Sequence, residues 1–290
     1  MRWATYASVA TALVLIAAKV IAYLLTDSVS LLSTLLDSLL DAAASLINLV
    51  AVHHALTPAD REHRFGHGKA EPLAALGQSA FIIGSAVFLL VQAANRLVSP
   101  QPVTHAGIGL GVMAFSIAAT LLLVIFQRFV IRRTGSLAIK ADSLHYASDL
   151  IVNTSVVVAL ILVTVYGWQR VDPVFGGGIA LYIIYTAWRI ARSALDMLMD
   201  RELPDEERTR IRGIALTHPG VRAVHDLRTR AAGPTVFVQL HLEVDGTLTL
   251  FEAHTIADAV ENEIRTAYPD AEVIIHEDPA GIVERRPTYR

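Results

Sequence analysis

Residues 35–49 read LLDSLLDAAASLINL, an apolar run that two carboxylates interrupt. Asp37 and Asp41 are four positions apart, so a helix would present both on one face. An ionisable side chain inside a membrane-spanning helix costs about 2.5 to 3.5 kcal/mol or more, and such groups are therefore functional candidates by default. The run predicts a membrane helix that carries a polar site.

A second stretch repeats the pattern. Residues 141–152 read ADSLHYASDLIV, in which His145 and Asp149 are again four apart and Asp142 precedes them by one turn. If the two pairs, Asp37 with Asp41 and His145 with Asp149, face each other, they supply three carboxylates and one imidazole, which is the ligand count of a tetrahedral divalent-metal site. The alternative is that Asp142 and His145 are solvated caps in the membrane interface.

Six apolar stretches are long enough to cross a bilayer core of about 30 Å, which takes roughly 20 helical residues. Lys19 is the basic residue inside the first span, and the other basic residues of the spans, Arg96, Arg128, Arg189 and Arg192, lie toward the span ends. One lysine cannot neutralise three buried carboxylates. The sequence therefore predicts an α-helical bundle of six transmembrane helices, at about 5–26, 29–55, 71–98, 107–130, 142–166 and 171–195.

Basic residues are concentrated in alternate loops. Residues 61–69 and 128–140 are rich in Lys and Arg, whereas the loops at 27–28, 99–106 and 167–170 contain only Arg170. Because cytoplasmic loops carry the excess of positive charge, both termini are predicted to be cytoplasmic.

Composition supports a membrane part followed by a soluble part. The 290 residues are 53% hydrophobic and 18% charged, below the usual charged share of about a quarter, and the mean hydropathy is +0.48. Residues 200–290 hold 17 acidic and 11 basic side chains. The net charge of −3 gives no indication of a nucleic-acid partner. With no cysteine, any metal must be bound by histidine and carboxylate.

The soluble part alternates helical and strand patterns. A helix begins near Pro204, two strand-like runs follow, VRAVHDLRTR and TVFVQLHLEV, and a second helix at about 250–267 precedes the last strand, AEVIIHED. This αββαβ order predicts a small α+β sheet with helices on one face. We divide the chain into a transport domain, 1–200, and a cytosolic domain, 201–290.

The motifs resemble those of the cation diffusion facilitator family. The resemblance is carried by the paired acidic and histidine motifs, the loop PADREHRFGHGKAEPLAALGQS and the strings HDLRTR and VIIHEDP. It implies six transmembrane helices with a ferredoxin-like cytosolic domain, a homodimer in a bacterial inner membrane, and exchange of a divalent metal for protons. The resemblance also implies a transport site formed by Asp37, Asp41, His145 and Asp149, with Asp142 left as a cap or entrance residue.

The same resemblance implies two further metal sites and one charge pair. On the loop after the second span, Asp60, His63 and His67 are candidate ligands, although an exposed polar turn is the alternative. His53 and His54 match no family ligand and are interpreted as interfacial. Lys69 and Asp200 resemble a charge pair at the dimer interface. The implied cytosolic two-metal site consists of His225, His241, His254, His276 and a bridging Asp278; the alternative is a set of unrelated surface histidines.

These assignments lead to a proton-coupled efflux transporter. Metal ligands must be deprotonated, so protons and metal compete for one site. We favour zinc as the transported and regulatory ion, with ferrous iron or cadmium as further substrates, because a mixed carboxylate and imidazole set suits a d10 ion. The chain has no P-loop and no HExxH motif, so neither an ATPase nor a metalloprotease is indicated. A metal-gated channel and a membrane-anchored metal sensor stay open as alternatives.

Overall fold

The computed structural model describes residues 1–26, 29–98, 107–166 and 171–282. The chain forms two compact units, Met1–Leu195 and Asp196–Arg290. The first unit contains long helices and the second contains the sheet.

The helices of the first unit match the predicted spans closely. In the described residues, five of them are long and apolar enough to cross a membrane, and the remaining one, α5, carries three charged side chains in its first half. The bounds are α1 Arg2–Thr26, α2 Val29–Ala55, α3 Ala70–Val98, α4 Gly107–Thr134, α5 Leu137–Tyr166 and α6 Val171–Leu198.

Small side chains fill the contacts between these helices. Ala86 of α3 and Ala187 of α6 are buried in one cluster with Ile82 and Ile183. Large apolar side chains such as Leu122 are exposed instead. This arrangement is typical of a membrane bundle, where small residues let helices approach and large apolar ones face lipid.

The second unit has the predicted order αββαβ. Its elements are α7 Asp205–Thr217, β1 Val221–Ala232, β2 Thr235–Val244, α8 Leu250–Ala267 and β3 Ala271–Pro279. Strand β2 lies in the centre, antiparallel to β1 and parallel to β3. Helix α8 starts with a capping box between Thr249 and Glu252, which satisfies two backbone groups at its first turn. The predicted fold class, a helical membrane part followed by a small α+β domain, is confirmed.

The sheet has an apolar face and a polar face. Leu240 and Leu242 of β2 are buried against Val260 and Ile264 of α8. His241, between the two leucines, points to the opposite face because side chains alternate along a strand. The helices thus cover one face and leave the other for polar residues.

Candidate metal centres

The first candidate centre lies between α2 and α5. The Nε2 atom of His145 is 3.0 Å from the Oδ1 atom of Asp41 and 3.9 Å from the Oδ2 atom of Asp149. One ligand atom from each residue lies within 4.8 Å of the others. His145 is buried, and both carboxylates are half-buried. These three predicted ligands are therefore brought together.

A hydrogen bond beside this centre ties the two helices to each other. The hydroxyls of Ser45 on α2 and Tyr146 on α5 are 2.7 Å apart and buried. Ser45 is one turn after Asp41, and Tyr146 directly follows His145. The bond fixes how the two ligand-bearing helices face each other.

Asp37, the fourth predicted ligand, lies one helical turn before Asp41 on α2. Its side chain lies outside the described residues, so its role as a ligand stays a prediction. Two carboxylates and one imidazole already form a donor set that suits zinc and similar divalent ions.

The interpretation of Asp142 as a cap or entrance residue is wrong. Asp142 is buried, and its carboxylate accepts hydrogen bonds from the Ser8 hydroxyl at 2.6 Å and from the side-chain amides of Gln127 at 2.7 Å and Gln78 at 3.1 Å. Helix α5 begins at Leu137, five residues before the predicted span. Asp142 therefore lies inside the bundle, where it joins α5 to α1, α3 and α4.

Replacing Asp142 with alanine is expected to lower the melting temperature of the detergent-solubilised protein. The change removes the acceptor of the Gln78 amide, at about 1 to 3 kcal/mol for a buried group left unsatisfied. It also removes one acceptor each from Ser8 and Gln127, which keep the Ala4 carbonyl and the Ser8 hydroxyl as their other acceptors. Asp142→Asn keeps an acceptor oxygen and should cost less. Equal melting temperatures for wild type and Asp142→Ala would contradict this account.

The second candidate centre is the loop between α2 and α3. The Asp60 carboxylate accepts hydrogen bonds from the backbone N–H groups of Glu62 at 2.9 Å and His63 at 2.7 Å. Gly66 has φ of +75°, a conformation that favours glycine, and its N–H donates to the His63 carbonyl at 2.9 Å. This tight turn brings His67 back toward Asp60 and His63.

The three predicted loop ligands converge. Asp60 contacts His63 Nδ1 and His67 Nε2 at 3.4 Å each, and one ligand atom from each residue lies within 4.8 Å of the others. The hydrogen bond from the His63 N–H is the largest cause that lowers the pKa of Asp60, and the neighbouring histidines lower it further. The carboxyl group is thus held in the ionised form that a cation requires.

The third candidate centre is on the polar face of the sheet. His225, His241 and His276 are paired in register, one on each strand, so that they form a row across the sheet. Asp278 follows His276 by two residues and therefore lies on the same face. His225, His241 and Asp278 each offer a ligand atom within 4.8 Å of the others.

Asp278 has the geometry of a bridging ligand. Its Oδ2 atom is 2.8 Å from His241 Nδ1 and 3.4 Å from His225 Nε2, whereas its Oδ1 atom is 3.2 Å from His276 Nε2. The Asp278 side chain is only 6% exposed. One carboxylate thus faces two histidines with one oxygen and a third with the other.

His254 is not brought into this cluster. It lies on α8, where its ring nitrogens are 3.6 Å from Glu277 and 3.6 Å from Asp258. Glu277 is between His276 and Asp278 on β3, so its side chain points to the helix-covered face. The sheet therefore separates His254 from the row of histidines within one chain.

Two acidic residues near the cluster were missed. Glu243 is 3.3 Å from His225, and Asp226 is 3.8 Å from His241. The signal for Glu243 is its position two residues after His241, on the same strand face. Asp226 has a positive φ of 44° and lies where the register between β1 and β2 shifts, which sequence spacing alone does not reveal.

Asp200 forms an ion pair inside the second unit. Its carboxylate is 3.2 Å from the guanidinium of Arg230. Its predicted pairing with Lys69, which belongs to the first unit, stays a prediction.

Each of the two units matches a domain of known cation efflux proteins. Residues 5–199 match the cation efflux transmembrane domain, and residues 203–280 match the cytoplasmic domain of cation efflux proteins. The cation-efflux pump FieF of Klebsiella pneumoniae is 51% identical over 280 residues, covering 97% of this chain and 93% of the relative. FieF of Shigella flexneri is 50% identical over 282 residues, covering 97% and 94%.

A solved structure, the metal-bound C-terminal domain of the CzcD transporter from Thermotoga maritima, is 29% identical, with a TM-score of 0.26. It covers 28% of this chain and 100% of that domain. The resemblance to the cation diffusion facilitator family is confirmed by the two domain matches and the full-length relatives. The chain belongs to the cation efflux family and is a multi-pass membrane transporter of cations.

Proposed function

We propose that this transporter exports divalent metal ions from the cytoplasm in exchange for protons, with zinc as its main substrate and ferrous iron or cadmium as further substrates. The observation that carries the proposal is the group Asp41, His145 and Asp149 between two helices of an apolar bundle. Ionisable groups inside a membrane domain are costly, and they commonly mark the path of a substrate, an ion or a proton.

The close approach of His145 and Asp41 supports exchange with protons. At 3.0 Å, their nitrogen and oxygen atoms are within hydrogen-bond distance, and a proton between them holds the pair together when no metal is bound. A metal ion needs both atoms deprotonated, so it displaces this proton. If the site opens in turn to either side of the membrane, an inward proton gradient drives metal outward.

The other two centres have supporting roles in this proposal. The cluster around Asp278 binds regulatory zinc, and the loop site at Asp60, His63 and His67 binds a further ion. The protein acts as a homodimer in a bacterial inner membrane, with both termini in the cytoplasm, in agreement with the basic loops that flank alternate spans.

The proposal is tested with purified protein in liposomes under an imposed pH gradient. Zinc supplied outside the liposomes should accumulate inside against its own concentration gradient when the interior is acidic, because protons leave as zinc enters. Accumulation should disappear when the pH gradient is collapsed. Equilibration without accumulation indicates a channel and contradicts proton coupling. Parallel measurements with ferrous iron and cadmium establish the order of preference.

Acidifying the metal-loaded side is expected to weaken transport. As pH falls from about 7.5 to about 5.5, protons occupy His145 more fully and compete with metal for its Nε2 atom. The initial rate of zinc uptake, measured at a fixed free zinc concentration, should therefore fall with pH. A rate that is constant across this range removes proton competition from the mechanism.

A further inference from the structure

His54 lies where α2 ends, one residue before Ala55. Its ring centroid is 4.4 Å from that of His67, and the His67 ring is in turn 4.5 Å from that of His63. The His54 ring therefore packs beside the group of Asp60, His63 and His67, and among these four residues only those three offer ligand atoms within 4.8 Å of one another. Next to it, His53 is also exposed, but among the described residues it has no ring contact with the loop histidines.

His67 has an unsatisfied nitrogen in this group. Its side chain is only 5% exposed, and its Nε2 atom faces Asp60 at 3.4 Å. The Nδ1 atom is buried and has no hydrogen-bond partner among the described residues. A buried polar atom without a partner costs about 1 to 3 kcal/mol, so this ring is expected to gain a partner when an exposed neighbour such as His54 moves.

We propose that His54 is the fourth ligand of the loop site, together with Asp60, His63 and His67. The His54 side chain is exposed, so it can rotate toward the other three with little loss of packing. Three nitrogen ligands and one oxygen ligand form a tetrahedral shell of the kind that zinc prefers. This inference rests on the proposal that the loop binds metal, and adds the ligand from α2.

A fourth protein ligand changes what the site can do. Four protein ligands close the shell of a zinc ion, and closed shells are typical of structural sites, whereas sites that exchange ligands keep one position open. The ion would fasten the loop to the end of α2 and would exchange slowly. The loop site would therefore organise the cytoplasmic end of α2 and would not be a station on the transport route.

The test uses full-length protein in detergent and cobalt(II) as the probe. The background variant combines Asp149→Ala, His241→Ala and Asp278→Ala, which removes ligands from the other two centres. Tetrahedral cobalt(II) absorbs visible light far more strongly than five- or six-coordinate cobalt(II). On this background, His54→Ala should weaken cobalt binding by at least about tenfold and lower the absorption per bound ion. The matched control His53→Ala should change neither.

The possible results distinguish two hypotheses: that His54 is a ligand, and that the loop binds metal at all. A spectrum and affinity that are the same for the background, His54→Ala and His53→Ala, with cobalt bound in each, overturn the role of His54 and leave the three-residue site standing. If the background binds no cobalt, or if binding survives His63→Ala unchanged, the loop site fails and the inference fails with it. The inference is supported if cobalt affinity and absorption per bound ion fall in His54→Ala but stay the same in His53→Ala.

Discussion

Alanine at position 149 is expected to abolish metal transport while the protein still inserts into the membrane. Asp149 offers one of the three ligand atoms that lie within 4.8 Å of each other. Removing one ligand leaves the ion with fewer than the four donors that zinc requires and lowers the negative charge that compensates it. Alanine also relieves the cost of a carboxylate within an apolar helix, so insertion should not suffer. Zinc uptake into liposomes should fall to the level of protein-free vesicles.

Ser148→Ala is the matched control for this experiment. Ser148 precedes Asp149 on α5, and its hydroxyl donates to the Leu144 carbonyl of the same helix at 2.7 Å. Its loss therefore removes no ligand, and transport should stay near the wild-type rate. Normal transport by a correctly inserted Asp149→Ala protein would refute the assignment of the transport site.

Zinc is expected to raise the melting temperature of the isolated fragment 201–290 by about 10 to 20 °C when free zinc is 100 times its dissociation constant. At that ratio a ligand that binds only the folded state stabilises it by about 2.7 kcal/mol, and 1 kcal/mol corresponds to about 4 to 8 °C in a domain of this size. The fragment contains its own buried core, which includes Val238, Leu240 and Ile264. Calorimetry with and without zinc measures the shift.

The double change His241→Ala with Asp278→Ala should remove this stabilisation. His218 lies outside the cluster, in a turn where its Nδ1 atom accepts from the Gly220 N–H, so His218→Ala should keep the response to zinc. The fragment 201–290 holds 16 acidic and 11 basic side chains, a net charge of −5, so two copies repel each other until bound cations offset this charge. Scattering should therefore show a zinc-dependent shift toward a compact dimer. A fragment whose melting and scattering are indifferent to zinc would refute the regulatory role.

The sequence predicted those features that depend on short-range spacing. The four-residue separation of His145 and Asp149 is enough to place both on one face of α5, and apolar length alone located the helices within a few residues. Asp142 was misinterpreted because the apolar run begins near it. Its burial depends on Ser8, Gln78 and Gln127, which three other helices contribute.

In the soluble unit, the missing information was the register of the sheet. The alignment of His225 with His241 and His276 depends on a bulge in β1 and on the parallel pairing of β3, neither of which leaves a clear pattern in the sequence. Because side chains alternate between the two faces of β3, Glu277 lies on the face opposite Asp278. His254 lies on α8, which covers that same opposite face. Residue type indicates which side chains are able to bind a metal, whereas strand pairing decides which of them meet.

The parallel pairing of β3 with β2 also determines the order in which the cluster can assemble. His225 and His241 belong to a hairpin and are close in the chain, but Asp278 joins them only after α8 has crossed over and β3 has docked. Contacts that close a long loop form late in folding, because the chain loses conformational entropy on closing the loop before the new contacts stabilise it. Zinc bound at this cluster, as we propose, would therefore fasten the strand that is expected to dock last. Contacts absent from the folding transition state mainly slow unfolding, so zinc should prolong the lifetime of the folded domain more than it accelerates folding.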